Sequence, residues 1–264
     1  MSGFSPDWLR AQRWFRAKQR PIATVGEADR AALGDAGDLL VIEVGYADAG
    51  APDRYLVPTI DGREPRDGDG VWAAFVRLMA SGAEVRADRG RFAFDATPAL
   101  DDLLPSARDA AGALGERRLG VEQSNSSVVL GERLILKVYR LLEEGENPDL
   151  EVSAFLSDAG FAHTPALAGS VHYRPDGGER CAAAMLQAFV PSTGDAWALV
   201  LDRLATDPAA AIEAAEEIGR LTAELHAALA SHPQTPGFPA RAVTPDELAA
   251  WRQGAERQLD GALA

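Results

Sequence analysis

Hydrophobic and polar positions recur along the chain with periods that change from segment to segment. In residues 6–18 (PDWLRAQRWFRAK), Trp8, Leu9, Trp14 and Phe15 fall among Arg10, Arg13, Arg16 and Lys18, which predicts a short amphipathic helix with its aromatics inward. DLLVIEVGYADAG and DRYLVPTI (38–50 and 53–60) read as two strands joined by a hairpin, punctuated by Gly50 and Pro52. Residues 71–81 read as a helix striped by Trp72, Phe75, Val76, Leu78 and Met79, followed by a strand in RGRFAFDAT (89–97) and a linker over 101–115. Residues 121–156 run strand, polar loop, strand, tight turn, strand, linker, helix. Two more strands, HTPALAGSVHYR (163–174) and CAAAMLQAFV (181–190), joined by a PDGG turn at 175–178, complete a five-stranded antiparallel sheet. Beyond them lie helices over 195–206 and 208–231 and a third capped by Thr244, whose Leu248, Trp251, Ala255 and Leu259 mark a face that expects a packing partner.

The candidate chemistry sits in 121–156. Alternation in LILKVYR puts Leu134, Leu136 and Val138 on one face and Ile135, Lys137 and Tyr139 on the other. Both faces are apolar apart from Lys137, so an unpaired ammonium there would cost several kcal/mol, about the desolvation penalty of one ion. The strand alone favours an edge lysine whose head snorkels into water. The following helix changes the balance: Asn147 caps it, Pro148 suits the first position, Asp149 and Glu151 fall in the first turn, Val152, Phe155 and Leu156 form its packing stripe, and Gly160 closes it. Glu151 is placed to reach back to Lys137, while Asp149 reads as a dipole-favoured surface acid. A strand lysine held by a helix carboxylate, ready for nucleotide phosphates, is the arrangement protein kinases use. One strand before Lys137, Gln123, Ser124, Asn125, Ser126 and Ser127 offer hydroxyls, amides and backbone N–H groups to phosphate oxygens. Taken alone, such a Ser/Asn cluster is no more than a hairpin turn.

Taken together, QSNSSV, LILKVYR and LEEGENPDLEVSAFL resemble the maltokinases, including those fused to trehalose synthase, and the actinobacterial glucosamine kinases, which are related to the aminoglycoside phosphotransferases. RWFRAK near the N-terminus resembles the RWF-x-x-K signature opening the maltokinase cap domain, although Arg16 and Ala17 stand where the family often has small residues. The resemblance implies an α+β fold: a protein-kinase-like (aminoglycoside phosphotransferase-like) small lobe over 98–190, an N-terminal α/β cap over 1–97, and hinge plus only the first helices of a large lobe over 191–264. It implies ATP with Mg²⁺ as cofactors, Lys137 on the phosphates, Glu151 positioning it, and a phosphate loop of Ser124, Asn125, Ser126 and Ser127. It also implies that the backbone from Gln187 through Phe189 to Val190 pairs with adenine while Met185 or Leu186 lines the pocket.

Composition narrows this further. A net charge of −14 over 264 residues argues against sequence-independent nucleic-acid binding and anionic membranes, though a local basic site could still hold phosphate. Five basic residues between Arg10 and Arg20 could bind an anion; a solvated face or salt bridges to the acidic body explain them more simply. The one cysteine, Cys181, sits in an apolar strand and fits a reducing compartment, and no run approaches the roughly 20 apolar residues that span a bilayer, so the cytoplasm is the expected location. His163 and His172 read as loop and strand residues rather than ligands. No HGD-like catalytic segment follows residue 190; Asp195, Asp202, Asp207, Asp246 and Asp260 lie in helical or capping contexts. The expectation is therefore an N-terminal portion of a sugar kinase, with no catalytic residues or metal ligands of its own and no phosphate transfer by itself. Maltose is the leading sugar acceptor and glucosamine the alternative, with a fused or separate trehalose-metabolism enzyme as a candidate partner. A reading of another class is a non-catalytic module that binds nucleotide or a protein partner.

Overall fold

A strand that is apolar at nearly every position needs cover on both faces. Residues 39–44 (LLVIEV) meet that condition in β2 (Asp38–Tyr46): Leu39 and Val41 enter one core, and Leu40, Ile42 and Val44 enter another. β2 is the middle of a three-stranded antiparallel sheet, between β1 (Ile22–Ala32) and β3 (Asp53–Thr59). The computed structural model describes residues 4–48, 50–120 and 124–263, in two compact units, Met1–Asp195 and Ala196–Ala264.

The helix predicted over 6–18 is half that length. α1 (Pro6–Ala11) starts at Ser5, whose Oγ accepts the Trp8 N–H, and ends at Gln12, which is extended. Successive helical residues diverge by about 100°, whereas Trp14 and Phe15 both have to reach Tyr55, with ring centroids 5.7 and 5.2 Å from it. Leaving the helix lets both aromatics enter the core beneath β2 and β3.

The second sheet has seven antiparallel strands rather than five: β4 (Glu84–Arg86), β5 (Gly90–Ala96), β9 (Leu167–Pro175), β10 (Cys181–Ala188), β8 (Leu134–Tyr139), β7 (Asn125–Leu130) and β6 (Glu116–Leu119), in that spatial order. The two extra strands come from the N-terminal region, because β5 pairs with β9 from Gly90–Pro175 to Ala96–Gly169. The sheet therefore runs across the expected 97/98 boundary. α2 (Val71–Ala80) shares one core with β2, β3, β5, β7 and β8 through Trp72, Phe75, Val76 and Met79. Part of the expected linker is α3 (Pro98–Ala107), which buries Leu100 and Ala107. The opposite face of the sheet carries a smaller cluster, Tyr139, Leu150, Leu167, Ala182 and Met185, under α4 (Pro148–Asp158).

The start of α2 lacks a side-chain cap of its own, since its N-cap is Gly70. The carboxylate of Glu116, at the start of β6, replaces it by accepting the N–H groups of Gly68, Gly70 and Ala73 at 3.1, 3.1 and 2.8 Å. A remote acid thus satisfies three groups that a helix start leaves open.

In the second unit, Asp207 caps α6 (Pro208–Leu229), and Thr244 and Glu247 form a reciprocal capping box at α7 (Pro245–Leu263). With α5 (Ala196–Thr206), these helices leave Trp197, Leu201, Leu248, Trp251 and Leu259 exposed. Among the described residues no helix is long and apolar enough to cross a membrane.

Glu116→Ala is expected to lower unfolding stability by about 1–2 kcal/mol, the usual cost of an N-cap, against near zero for Glu84→Ala, an exposed acid in a surface pair with Arg91. Denaturant midpoints compare the two; equal losses would contradict the capping role.

Candidate functional site

The alternation of β8 is as the sequence implies. Leu134, Leu136 and Val138 are fully buried in the larger core, while Lys137 and Tyr139 face the α4 side. Lys137 is not enclosed, however: its side chain is 26% exposed and that of its partner 45%.

That partner is Asp149. Lys137 Nζ lies 2.6 Å from Asp149 Oδ2, and Tyr139 Oη donates to the same oxygen at 3.4 Å. The expected pairing with Glu151 is corrected, and the cause is helix phase. Residues two apart on a helix diverge by about 200°, and residues four apart by about 40°. Asp149 therefore shares its face with Ser153, which is buried against the sheet and whose Oγ accepts the Gln187 side-chain amide at 3.2 Å. Glu151 points elsewhere and makes no ion pair among the described residues. The packing stripe is Leu150, Ser153, Phe155 and Leu156; Val152 is exposed.

The polar run also divides by face. Asn125 begins β7, so Ser126 and Ser127 are strand residues rather than loop residues, and Gln123 lies outside the described residues. Ser127 stands directly across from Lys137 and Asn125 across from Tyr139, which places both on the α4 side. The Ser127 hydroxyl is buried, with no hydrogen-bond partner in the structure. Ser126 turns the other way and accepts Arg140 Nε at 2.9 Å, which removes it from the phosphate set. Ser124 is exposed, and a cavity of about 260 Å³ is lined by Arg16, Ser124, Asn125, Tyr139 and Asp149 among others. That is below the roughly 300–1,000 Å³ of small-molecule sites, so it suits one phosphate-sized group rather than a whole nucleotide.

On β10 the choice between Met185 and Leu186 follows from the pleat. Met185 pairs with Lys137 and lies in the α4-side cluster, whereas Leu186 is fully buried in the other core. Gln187 braces α4 through Ser153. The N–H groups of Ala188 and Phe189 already donate to Ala166 and Arg133 carbonyls at 2.9 and 2.8 Å, so neither is available as an adenine donor in this conformation. Val190 is exposed.

Arg140, the residue after the lysine strand, has no counterpart among the expected site residues, yet it is completely buried. Its Nη2 forms an ion pair with Glu64 Oε1 at 2.9 Å, Nε donates to Ser126, Nη1 donates to the Leu56 carbonyl at 3.4 Å, and the guanidinium lies 5.0 Å from the Trp14 ring. Trp14 Nε1 also donates to Glu64 Oε1 at 3.2 Å. Burial pulls the Arg140 pKa down to about 10 against the opposing pull of Glu64, so it remains charged at neutral pH. Around it the backbone is stitched to the small sheet: the Leu56 N–H donates to the Arg140 carbonyl and the Leu142 N–H to the Arg54 carbonyl, at 2.7 and 2.8 Å. An arginine at a strand end beside RWF and an acid at 64 were the available signals.

Acetylation of Lys137, followed by peptide mass spectrometry, separates the two helix acids. Asp149→Asn is expected to raise the rate about two- to fivefold, as loss of a half-exposed ion pair should, and Glu151→Gln to leave it unchanged. The reverse order would restore Glu151 as the partner.

Residues 8–98 match the family model described as the maltokinase N-terminal cap domain. The chain is 33% identical over 225 residues to a glucosamine kinase of Streptacidiphilus jiangxiensis, covering 80% of this chain and 47% of that protein. It is 31% identical over 157 residues to a glucosamine kinase of Mycolicibacterium smegmatis, covering 57% and 37%. Among solved structures, a glucosamine kinase in complex with glucosamine, ADP and inorganic phosphate aligns with a TM-score of 0.59 at 25% identity, over 99% of this chain and 59% of that one. A second crystal form of a glucosamine kinase gives 0.61 at 26% identity, over 99% and 56%. The chain spans about half the length of the curated relative with the longer match. Residues 8–98 thus match a maltokinase-type cap, and over most of its length the chain is similar in sequence and in fold to glucosamine kinases.

Proposed function

We propose that this chain is the nucleotide-binding part of an ATP-dependent sugar kinase. The observation that carries the reading is Lys137, held by Asp149 at 2.6 Å beside the unpartnered Ser127 hydroxyl. Lys137 supplies a partly exposed cation, and the Ser127 hydroxyl lies buried across the strand pair from it. Transfer of a terminal phosphoryl group needs little covalent help from the protein, so placing such groups against the phosphates is the main contribution available. Asp149 keeps the ammonium pointed across the sheet instead of into solvent, and Tyr139 and Ser153 fix the carboxylate and its helix. Magnesium would neutralise phosphate charge when bound. Among the described residues no group of three or more carboxylate, imidazole or thiol side chains could hold a metal ion, so no ligands for it are assigned here.

For the acceptor, the names of the relatives favour glucosamine, giving glucosamine 6-phosphate. The maltokinase-type cap favours maltose as the second reading, giving maltose 1-phosphate. In either case the chain alone is proposed to bind nucleotide without transferring phosphate, because no HGD-like segment follows residue 190.

Two measurements test this. Mg·ATP at about a hundred times its Kd should stabilise the chain by about 2.7 kcal/mol, a rise of roughly 5–10 °C in Tm for a protein of this size, and Lys137→Ala should abolish the shift. The absence of any shift in the parent chain would favour the non-catalytic partner-binding alternative. A coupled ADP-release assay with glucosamine and with maltose should show no turnover; turnover with either sugar would overturn the inactivity and identify the acceptor.

A further inference from the structure

The five basic residues between Arg10 and Arg20 separate into two sets. Arg10 pairs with Asp7 at 3.5 Å, and Arg20 pairs with Asp48 at 2.6 Å while stacking 3.6 Å from the Tyr46 ring centroid. Arg13, Arg16 and Lys18 have weaker attachments. Arg13 donates to the Gly120 carbonyl at 2.7 Å, and Arg16 has Glu143 at 3.7 Å with both side chains mostly exposed. Lys18 makes no ion pair among the described residues. These three, with Phe15 and Ser124, line a cavity of about 600 Å³. Arg16 and Ser124 also line the smaller cavity that reaches Asp149, the partner of Lys137, so the two cavities adjoin.

The convergence is built in rather than incidental. Trp14 and Phe15 are buried between Arg13 and Arg16, so the backbone that carries the cations is anchored in the core. Arg13 also grips the chain at Gly120, shortly before Ser124. Three cations around one polar cavity repel one another unless an anion joins them, and here they gather in a chain of net charge −14, with Glu143 the one carboxylate in ion-pair range of any of the three among the described residues, although Asp149 also lines the cavity beside Arg16. We propose that Arg16 and Lys18, with Arg13 and the Ser124 hydroxyl, form a binding site for a phosphate group contributed by the cap. The role of Lys137 beside it rests on the nucleotide reading above. The phosphate has two sources, the outer end of the nucleotide held at Lys137 or a separate phosphate-bearing small molecule. Glu143 competes with it for Arg16 and swings away when it binds.

Isothermal titration at low ionic strength with inorganic phosphate and, separately, with Mg·ADP tests the site in wild type, Arg16→Gln/Lys18→Gln, Glu143→Gln and Lys137→Ala. All four positions are at least partly exposed, and an unchanged Tm checks that the variants fold. Arg16→Gln/Lys18→Gln is expected to weaken binding about tenfold, as loss of charge-assisted hydrogen bonds to phosphate does, and Glu143→Gln to strengthen it. Weakening of Mg·ADP together with phosphate identifies the nucleotide as the source; weakening of phosphate alone identifies a separate ligand. If the double variant binds both as wild type does, or if wild type binds neither, the site does not exist. Mg·ADP binding untouched by Lys137→Ala sinks the nucleotide reading instead and leaves the phosphate titration to decide the anion site.

Discussion

A guanidinium with no exposed surface is the constraint on which the arrangement depends. Removing an arginine from water costs several kcal/mol, an effective penalty of the order found for buried ions generally, and the charge is tolerated only where its donors are met. At Arg140 the partners come from separate stretches of chain: Glu64 after β3, Ser126 from β7, the Leu56 carbonyl from β3 and the Trp14 ring from the N-terminal segment. Arg140 follows Tyr139, the last residue of the lysine strand. The cap and β8 therefore share one buried charge, and neither can shift without exposing or orphaning it.

The Lys137–Asp149 pair works in the opposite regime. It is partly exposed, and pairs of that kind contribute about 0–1 kcal/mol to stability. Its value is orientation. A lysine with several rotatable bonds is held toward one side of the sheet by a carboxylate that is itself fixed by a capped helix, with the Asn147 side chain accepting the Asp149 N–H at 3.0 Å. The rigid buried pair sets where the strand lies, and the looser exposed pair sets where its ammonium points.

Much of this was legible in the sequence. Strict alternation identified the faces of β8, and the Asn-Pro start identified the beginning of α4. What alternation could not supply was the rotation of α4, which brings Asp149, four residues before the buried Ser153, to the lysine. β1 was missed because most of its positions are exposed or half-buried, leaving no clean period, and α3 because Pro105 and two adjacent aspartates resemble a linker. The seven-stranded sheet was read as five strands because the β5–β9 pairing joins residues more than seventy positions apart, beyond the reach of local pattern. Arg140 drew no reading from the sequence, because its cover, Trp14 and Glu64, comes from distant stretches of chain.

Hydrogen exchange in Glu64→Ala addresses the shared charge most directly. If cap and nucleotide strand form one body around Arg140, amides of β3 and of β8, including Lys137 and Val138, are expected to lose protection together and by similar factors. Wild-type protection in β8 alongside accelerated exchange confined to β3 would show that the cap is an independent attachment, and the account of the buried arginine as their common anchor would be wrong.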